Sequence, residues 1–88
     1  GFDIAPRIYT DRRGTWICIW SSRTNVSNNA LLPDYNLQFS RSTNNGVTWS
    51  APQILNPQSI AQPTLNEYFP AAATDGNGNW VVVYNSSP

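Results

Sequence analysis

Residues 10–20 read TDRRGTWICIW, and residues 74–84 read TDGNGNWVVVY. The stretches lie 64 positions apart, from Asp11 to Asp75, and the same offset pairs Pro6 with Pro70, Gly14 with Gly78, Trp16 with Trp80 and Ser22 with Ser86. Between these identities the exchanges are conservative: Asp3 for Glu67, Ile17 for Val81, Ile19 for Val83 and Trp20 for Tyr84. Self-similarity at a fixed period means stacked supersecondary units, each unable to bury its apolar surface alone. Residues 1–68 are one such unit, and 69–88 are the first two strands of a second.

Each unit is expected to open with a β-hairpin. Pro6 to Thr10 reads as a strand beginning at a proline, where a missing N–H is tolerated. Asp11 to Gly14 is a turn that Gly14 closes by supplying a positive φ. Thr15 to Trp20 is β-branched and aromatic without polar alternation, which predicts a strand covered on both faces. Phe69 to Thr74, the Asp75–Gly78 turn and Asn79 to Tyr84 repeat the design.

Two more strands are expected between the hairpins. Tyr35 to Ser40 alternates, with Tyr35, Leu37 and Phe39 on one face and polar residues on the other. Val47 to Trp49 begins a fourth strand that resumes after Pro52 at Gln53 to Leu55. Ser21–Pro33 and Asn56–Glu67 carry the Ser, Asn and Pro of surface loops, and no stretch has a helical period. The fold class is therefore all-β. Four up-and-down strands per unit, apolar on both sheet faces, is the pattern of a propeller blade, giving about one and a half four-stranded antiparallel blades in this chain.

Composition narrows the function. In 88 residues, five arginines balance five acids, and apolar residues make up 40% of the chain. A domain this small buries only about 60–65% of the surface its unfolded chain exposes, so its own core is thin. Zero net charge without a basic cluster argues against nucleic acid or an anionic membrane as partner. No apolar run approaches the roughly 20 residues that span a bilayer. The chain has no histidine and one cysteine, Cys18, which removes a Ser-His-Asp triad, a His-ligated metal, an internal disulfide and a multi-cysteine zinc site. No cofactor and no metal site is expected. Cys18 lies in a buried-type run and reads as an inert core thiol.

Ser42-Thr43-Asn44-Asn45-Gly46-Val47-Thr48-Trp49 fits the pattern Ser-x-Asp-x-Gly-x-Thr-Trp, with Asn44 at the acidic position. It resembles the Asp-box, or BNR repeat, of sialidase-like β-propellers. Phe39-Ser40-Arg41 before it and Ser50-Ala51-Pro52 after it agree with that likeness, as does the 64-residue alternation of a Thr-Asp-Gly-x-Gly-x-Trp hairpin with an Asp-box hairpin. The resemblance implies a structural turn between the third and fourth strands of a blade. Ser42 and Asn44 would bond backbone groups, Gly46 would take a conformation closed to residues with a Cβ, and Trp49 would fold its ring under the turn.

Sialidases of this likeness clamp a substrate carboxylate with arginines and use a Tyr-Glu nucleophile pair and an Asp acid/base. Arg7-Ile8-Tyr9 stands where the family's Arg-Ile-Pro motif would, with tyrosine in place of the proline, and Ala71 replaces Arg7 in the second unit. Arg23 and Asp34 flank the long connection to the third strand, where the resemblance would put a second carboxylate contact and the acid/base. Glu67 and Tyr68 are sequence neighbours, so in a strand they point to opposite faces and make no nucleophile pair. Arg7, Arg23 and Asp34 are thus the candidates for catalysis.

The leading expectation is a non-catalytic BNR/Asp-box repeat module, acting as a scaffold or a carbohydrate- or protein-binding surface. The alternative is part of a sialidase-type glycoside hydrolase. One and a half blades cannot close a ring and would expose apolar faces and open edges. The expected partners are other blades, from the rest of a longer chain or from further copies in a homo-oligomer, with a carbohydrate as possible ligand. The resemblance implies a secreted or periplasmic location.

Overall fold

A computed structural model describes residues 3–24, 31–55 and 66–87. All regular elements among them are strands: β1 (Asp3–Thr10), β2 (Trp16–Thr24), β3 (Leu31–Ser42), β4 (Gln53–Ile54), β5 (Asn66–Thr74) and β6 (Trp80–Ser87). β1 to β4 form a four-stranded sheet in sequence order, every pair antiparallel, and β5 pairs antiparallel with β6 in a second sheet.

The 64-residue repeat is visible in the register. The β1–β2 ladder slips between Ile4 and Arg7, and the β5–β6 ladder slips between Tyr68 and Ala71, at equivalent positions. A proline sits inside each slip, Pro6 in one and Pro70 in the other. Proline has no N–H for the ladder, and a bulge absorbs that loss.

β2 and β3 run further than their sequence predicts. Ser21 to Thr24 and Leu31 to Pro33, expected as loop, are strand, while residues 25–30 of that connection lie outside the described residues. Thr24 pairs with Leu31 across a register slip that follows Ser22. The fourth strand is shorter than expected. Its ladder with β3 is formed by Gln53 and Ile54, and Val47 to Trp49 belong to the preceding turn. The described part of the second connection is likewise strand at its end, since β5 begins at Asn66.

Strand alternation sorts the first sheet into two faces. Ile17 and Ile19 of β2 and Leu37 of β3 are buried together, with Tyr9, Phe39 and Leu55 beside them. The second sheet lies on this face and contributes Ala72, Trp80 and Val82 to the same cluster. Fully burying an aliphatic side chain is worth about 1.5–3 kcal/mol, so this cluster holds the sheets together through a few well-covered residues.

The two-sided coverage expected of these strands is partial on the second face of β2 and missing from one face of β6. Trp16, Cys18 and Trp20, on the opposite face of β2, are half-buried, and in β6 Val81 and Val83 point outward while Trp80 and Val82 point in. The polar face of β3 also departs from expectation. Asn36, Gln38, Ser40 and Ser42 are all buried, and the side-chain amide of Asn36 has no hydrogen-bond partner among the described residues.

Polar bonds fix how the sheets sit. The Tyr9 hydroxyl donates to the Pro70 carbonyl at 3.1 Å, and the Ser21 hydroxyl donates to that of Glu67 at 2.8 Å. The β3 edge that runs past the short β4 is capped by the start of β5. Asn66 Oδ1 accepts from the Tyr35 amide at 2.9 Å, and the buried Glu67 carboxylate accepts from the Leu37 amide at 3.2 Å. An open strand edge is a liability, and these side chains stand in for the missing strand.

Candidate functional site

The turn from Ser42 to Ser50 has the richest local chemistry. The buried Ser42 hydroxyl donates to Asn44 Oδ1 at 2.9 Å and accepts the Gly46 amide at 2.8 Å. Asn44 Oδ1 also accepts the Thr48 amide at 2.9 Å, and Asn44 Nδ2 donates to the Thr48 hydroxyl at 2.7 Å. Asn45 and Gly46 both have positive φ, 62° and 85°. Asparagine tolerates that region, and glycine has no Cβ to exclude it. Ser50 closes the loop, its amide donating to the Arg41 carbonyl at 2.8 Å and its hydroxyl accepting the Arg41 amide at 2.9 Å.

Trp49 differs from its expected burial. Its indole N–H donates to the Gly46 carbonyl at 3.1 Å, and its ring lies 4.0 Å from where a Gly46 Cβ would be, yet the residue is 40% exposed. The ring leans on the turn and keeps one side toward solvent. Together with Phe39, Arg41, Thr43, Thr48, Ser50 and Gln53 it lines an open groove of about 650 Å³.

The hairpin turn of the first unit docks on this loop. The Asn45 amide donates to the Gly14 carbonyl at 2.8 Å, and Trp16 Nε1 donates to Asn45 Oδ1 at 2.9 Å. Both hairpin turns are wired alike. Asp11 Oδ1 accepts the amides of Arg13 and Thr15, and Asp75 Oδ1 accepts those of Asn77 and Asn79. Thr10 and Thr74 hydroxyls donate to the carbonyls of Thr15 and Asn79. Gly14 and Gly78 sit at φ 97° and 93°, and the other left-handed position holds Arg12 in one turn and Gly76 in the other, at 63° and 80°. The Arg13 amide is the first cause holding the Asp11 carboxyl below the ordinary carboxylate range, and for Asp75 it is the Asn79 side chain. Burial pushes the Cys18 thiol up, in keeping with its half-covered place on β2.

Two of the three candidates for catalysis, Arg7 and Arg23, have described side chains. Arg7 is exposed on β1, opposite Ile19. Arg23 lies four residues further along β2 than Ile19, about 13 Å at the usual rise per residue, with its guanidinium 6.0 Å from the Tyr35 ring centre. Asp34 lies in β3, and its side chain is outside the described residues. Glu67 and Tyr68 go separate ways. The carboxylate caps the β3 edge, and the Tyr68 ring meets Tyr35 at 5.3 Å between centres. Sequence reasoning missed this capping role of Asn66 and Glu67. No local signal in the sequence gives it away, since the Leu37 amide that Glu67 meets is thirty residues distant.

Among the described residues no group of His, Cys, Asp and Glu side chains could hold a metal ion, and no helix is long and apolar enough to cross a membrane. Compared with known protein families, curated proteins and solved structures, the chain matches none of them.

Proposed function

We propose that this chain is a non-catalytic repeat module of BNR/Asp-box type, a propeller-blade scaffold that offers a carbohydrate-binding groove at its Asp-box turn. The observation carrying this reading is the equivalence of the two hairpins. Bulge, turn bonds and positive-φ positions recur at an offset of 64 residues, and the second hairpin lies face to face on the first unit. Stacking of like sheets face to face is how blades make a core that none has alone.

The turn's own polar groups are occupied in holding its shape, so its chemistry is structural. What it leaves outward is a half-exposed indole ring flanked by Arg41, Gln53 and the Thr43 and Thr48 side chains. A flat apolar ring with adjacent donors and acceptors suits a pyranose, which has an apolar C–H face and a rim of hydroxyls. A glycan-binding screen, run beside a fluorogenic sialoside assay, tests the proposal. Binding without turnover is expected, and weakened by Arg41→Ala or Gln53→Ala. Turnover that Arg7→Ala or Asp34→Asn abolishes overturns it in favour of a sialidase-type hydrolase.

A further inference from the structure

We propose that two copies of this chain dock head to tail, the outer face of the first hairpin of one copy seated on the outer face of the second hairpin of the other. The inference rests on the repeat-module reading above and adds the surface, the partner and the polarity of the contact.

The template is the interface inside the chain. There the first unit presents Ile17 and Ile19 of β2, and the second presents Ala72, Trp80 and Val82. The repeat turns each set into its counterpart. Ile17 and Ile19 correspond to Val81 and Val83, which are 66% and 62% exposed. Ala72, Trp80 and Val82 correspond to Ile8, Trp16 and Cys18, where Ile8 is 57% exposed and the other two are half-buried. The Ile17 and Ile19 surface is therefore present a second time and open at Val81 and Val83, and its complement is present a second time with Ile8 exposed and Trp16 and Cys18 half-buried beside it.

Each of these two surfaces is coherent. Ala71 pairs with Val83 and Ala73 with Val81, so these four exposed side chains form one small apolar patch without charge. Ile8 pairs with Cys18, and Thr10 with Trp16, on the other hairpin. A net charge of zero removes any overall repulsion between copies. The contact is heterologous, because the two patches differ, and such contacts propagate into rings or filaments. It is also weaker than its template. Leu37, Phe39 and Leu55 add to the internal interface, whereas the receiving face here is supplied by β5 and β6. Association is therefore concentration-dependent.

The test is light scattering over a concentration series on the wild-type chain, on Ile8→Asp, on Val83→Arg and on an equal mixture of the variants. Wild type is expected to grow past the dimer. Each variant alone stays monomeric, since each lacks one of the two faces. The mixture forms a heterodimer and stops there, because only one working pair of faces remains. Alkylation of Cys18 is expected to slow several-fold in concentrated wild type and not in Ile8→Asp. A wild-type chain that stays monomeric throughout overturns the proposal, as it would if a following unit of the same polypeptide were the occupant. So does self-association of Ile8→Asp alone, which would mean a symmetric contact. A dilute wild-type monomer that melts cooperatively leaves the repeat-module reading standing when docking fails. A dilute chain with no cooperative melt sinks both.

Discussion

Asn44 shows how one side chain organises a loop. Its Oδ1 accepts from the Ser42 hydroxyl and the Thr48 amide, while its Nδ2 donates to the Thr48 hydroxyl. Truncation in Asn44→Ala removes all three bonds and leaves Ser42 half-satisfied under the turn. A cost of about 1–2 kcal/mol is expected, read by thermal or urea melting. Asn44→Asp should act in the other direction. A carboxylate keeps both acceptor roles, and the Thr48 hydroxyl can rotate to donate to it. Hydrogen bonds to a charged acceptor are stronger than neutral ones, so a gain of about 0.5–1 kcal/mol is expected near neutral pH. These bonds favour the charged form and place the folded pKa below the unfolded one, so the gain is present above the unfolded pKa and lost as pH falls through the folded value. A variant no more stable than wild type at pH 7 would show that the amide's donor role matters more than charge. The turn was legible in the sequence because its chemistry is local: a Ser, an Asx and a Gly at fixed spacing carry their own bonding plan. The exposure of Trp49 was not, because it depends on what lies across the groove.

At the scale of the strand, the instructive case is the edge of β3. Sequence reasoning ended this strand early because Ser, Asn and Pro punctuate the segments before Tyr35. Strand structure persists there because partners distant in sequence pair its backbone: β2 on one side, and Asn66 and Glu67 on the other beyond β4. Propensity is a local quantity, and the acceptor that keeps the Leu37 amide satisfied is thirty residues away. Burial of Asn36, Gln38, Ser40 and Ser42 escaped the alternation argument for the same reason, since polarity alone does not say which face is covered. Glu67 now gives a sharp comparison. Glu67→Gln keeps an oxygen acceptor for the Leu37 amide, whereas Glu67→Ala leaves that buried donor without one. A buried unsatisfied amide costs about 1–3 kcal/mol, so the alanine variant should melt well below the glutamine variant. Hydrogen exchange at Leu37 should quicken only in Glu67→Ala. Equal stabilities for the two would mean that the cap contributes nothing beyond packing.

Across the whole molecule, the repeat supplies an internal control that few small domains offer. Ile19 and Val83 occupy the same position of successive units, yet Ile19 is 0% exposed and Val83 is 62% exposed. Sequence cannot distinguish them, since both read as apolar residues of a covered strand. The difference arises because the second sheet covers the Ile19 face, while the Val83 face stays exposed. Truncating Ile19 opens a cavity in a core whose buried apolar side chains among the described residues are Ile17, Ile19 and Leu37. Aliphatic-to-alanine changes in such places cost about 2–5 kcal/mol, a large part of a small domain's stability. Ile19→Ala should therefore lower the melting temperature steeply at any protein concentration. Val83→Ala removes two methyl groups that already face solvent and should change dilute-solution stability by less than about 0.5 kcal/mol. Its effect should emerge only as concentration rises. A partner that binds the folded chain raises the melting temperature by mass action, and Val83 lies at the centre of the receiving patch. Wild-type melting temperature should climb with concentration, and that of Val83→Ala should climb less. A steep loss for Val83→Ala in dilute solution would place this side chain inside a private core, and the two-ended character of the molecule would fall with it.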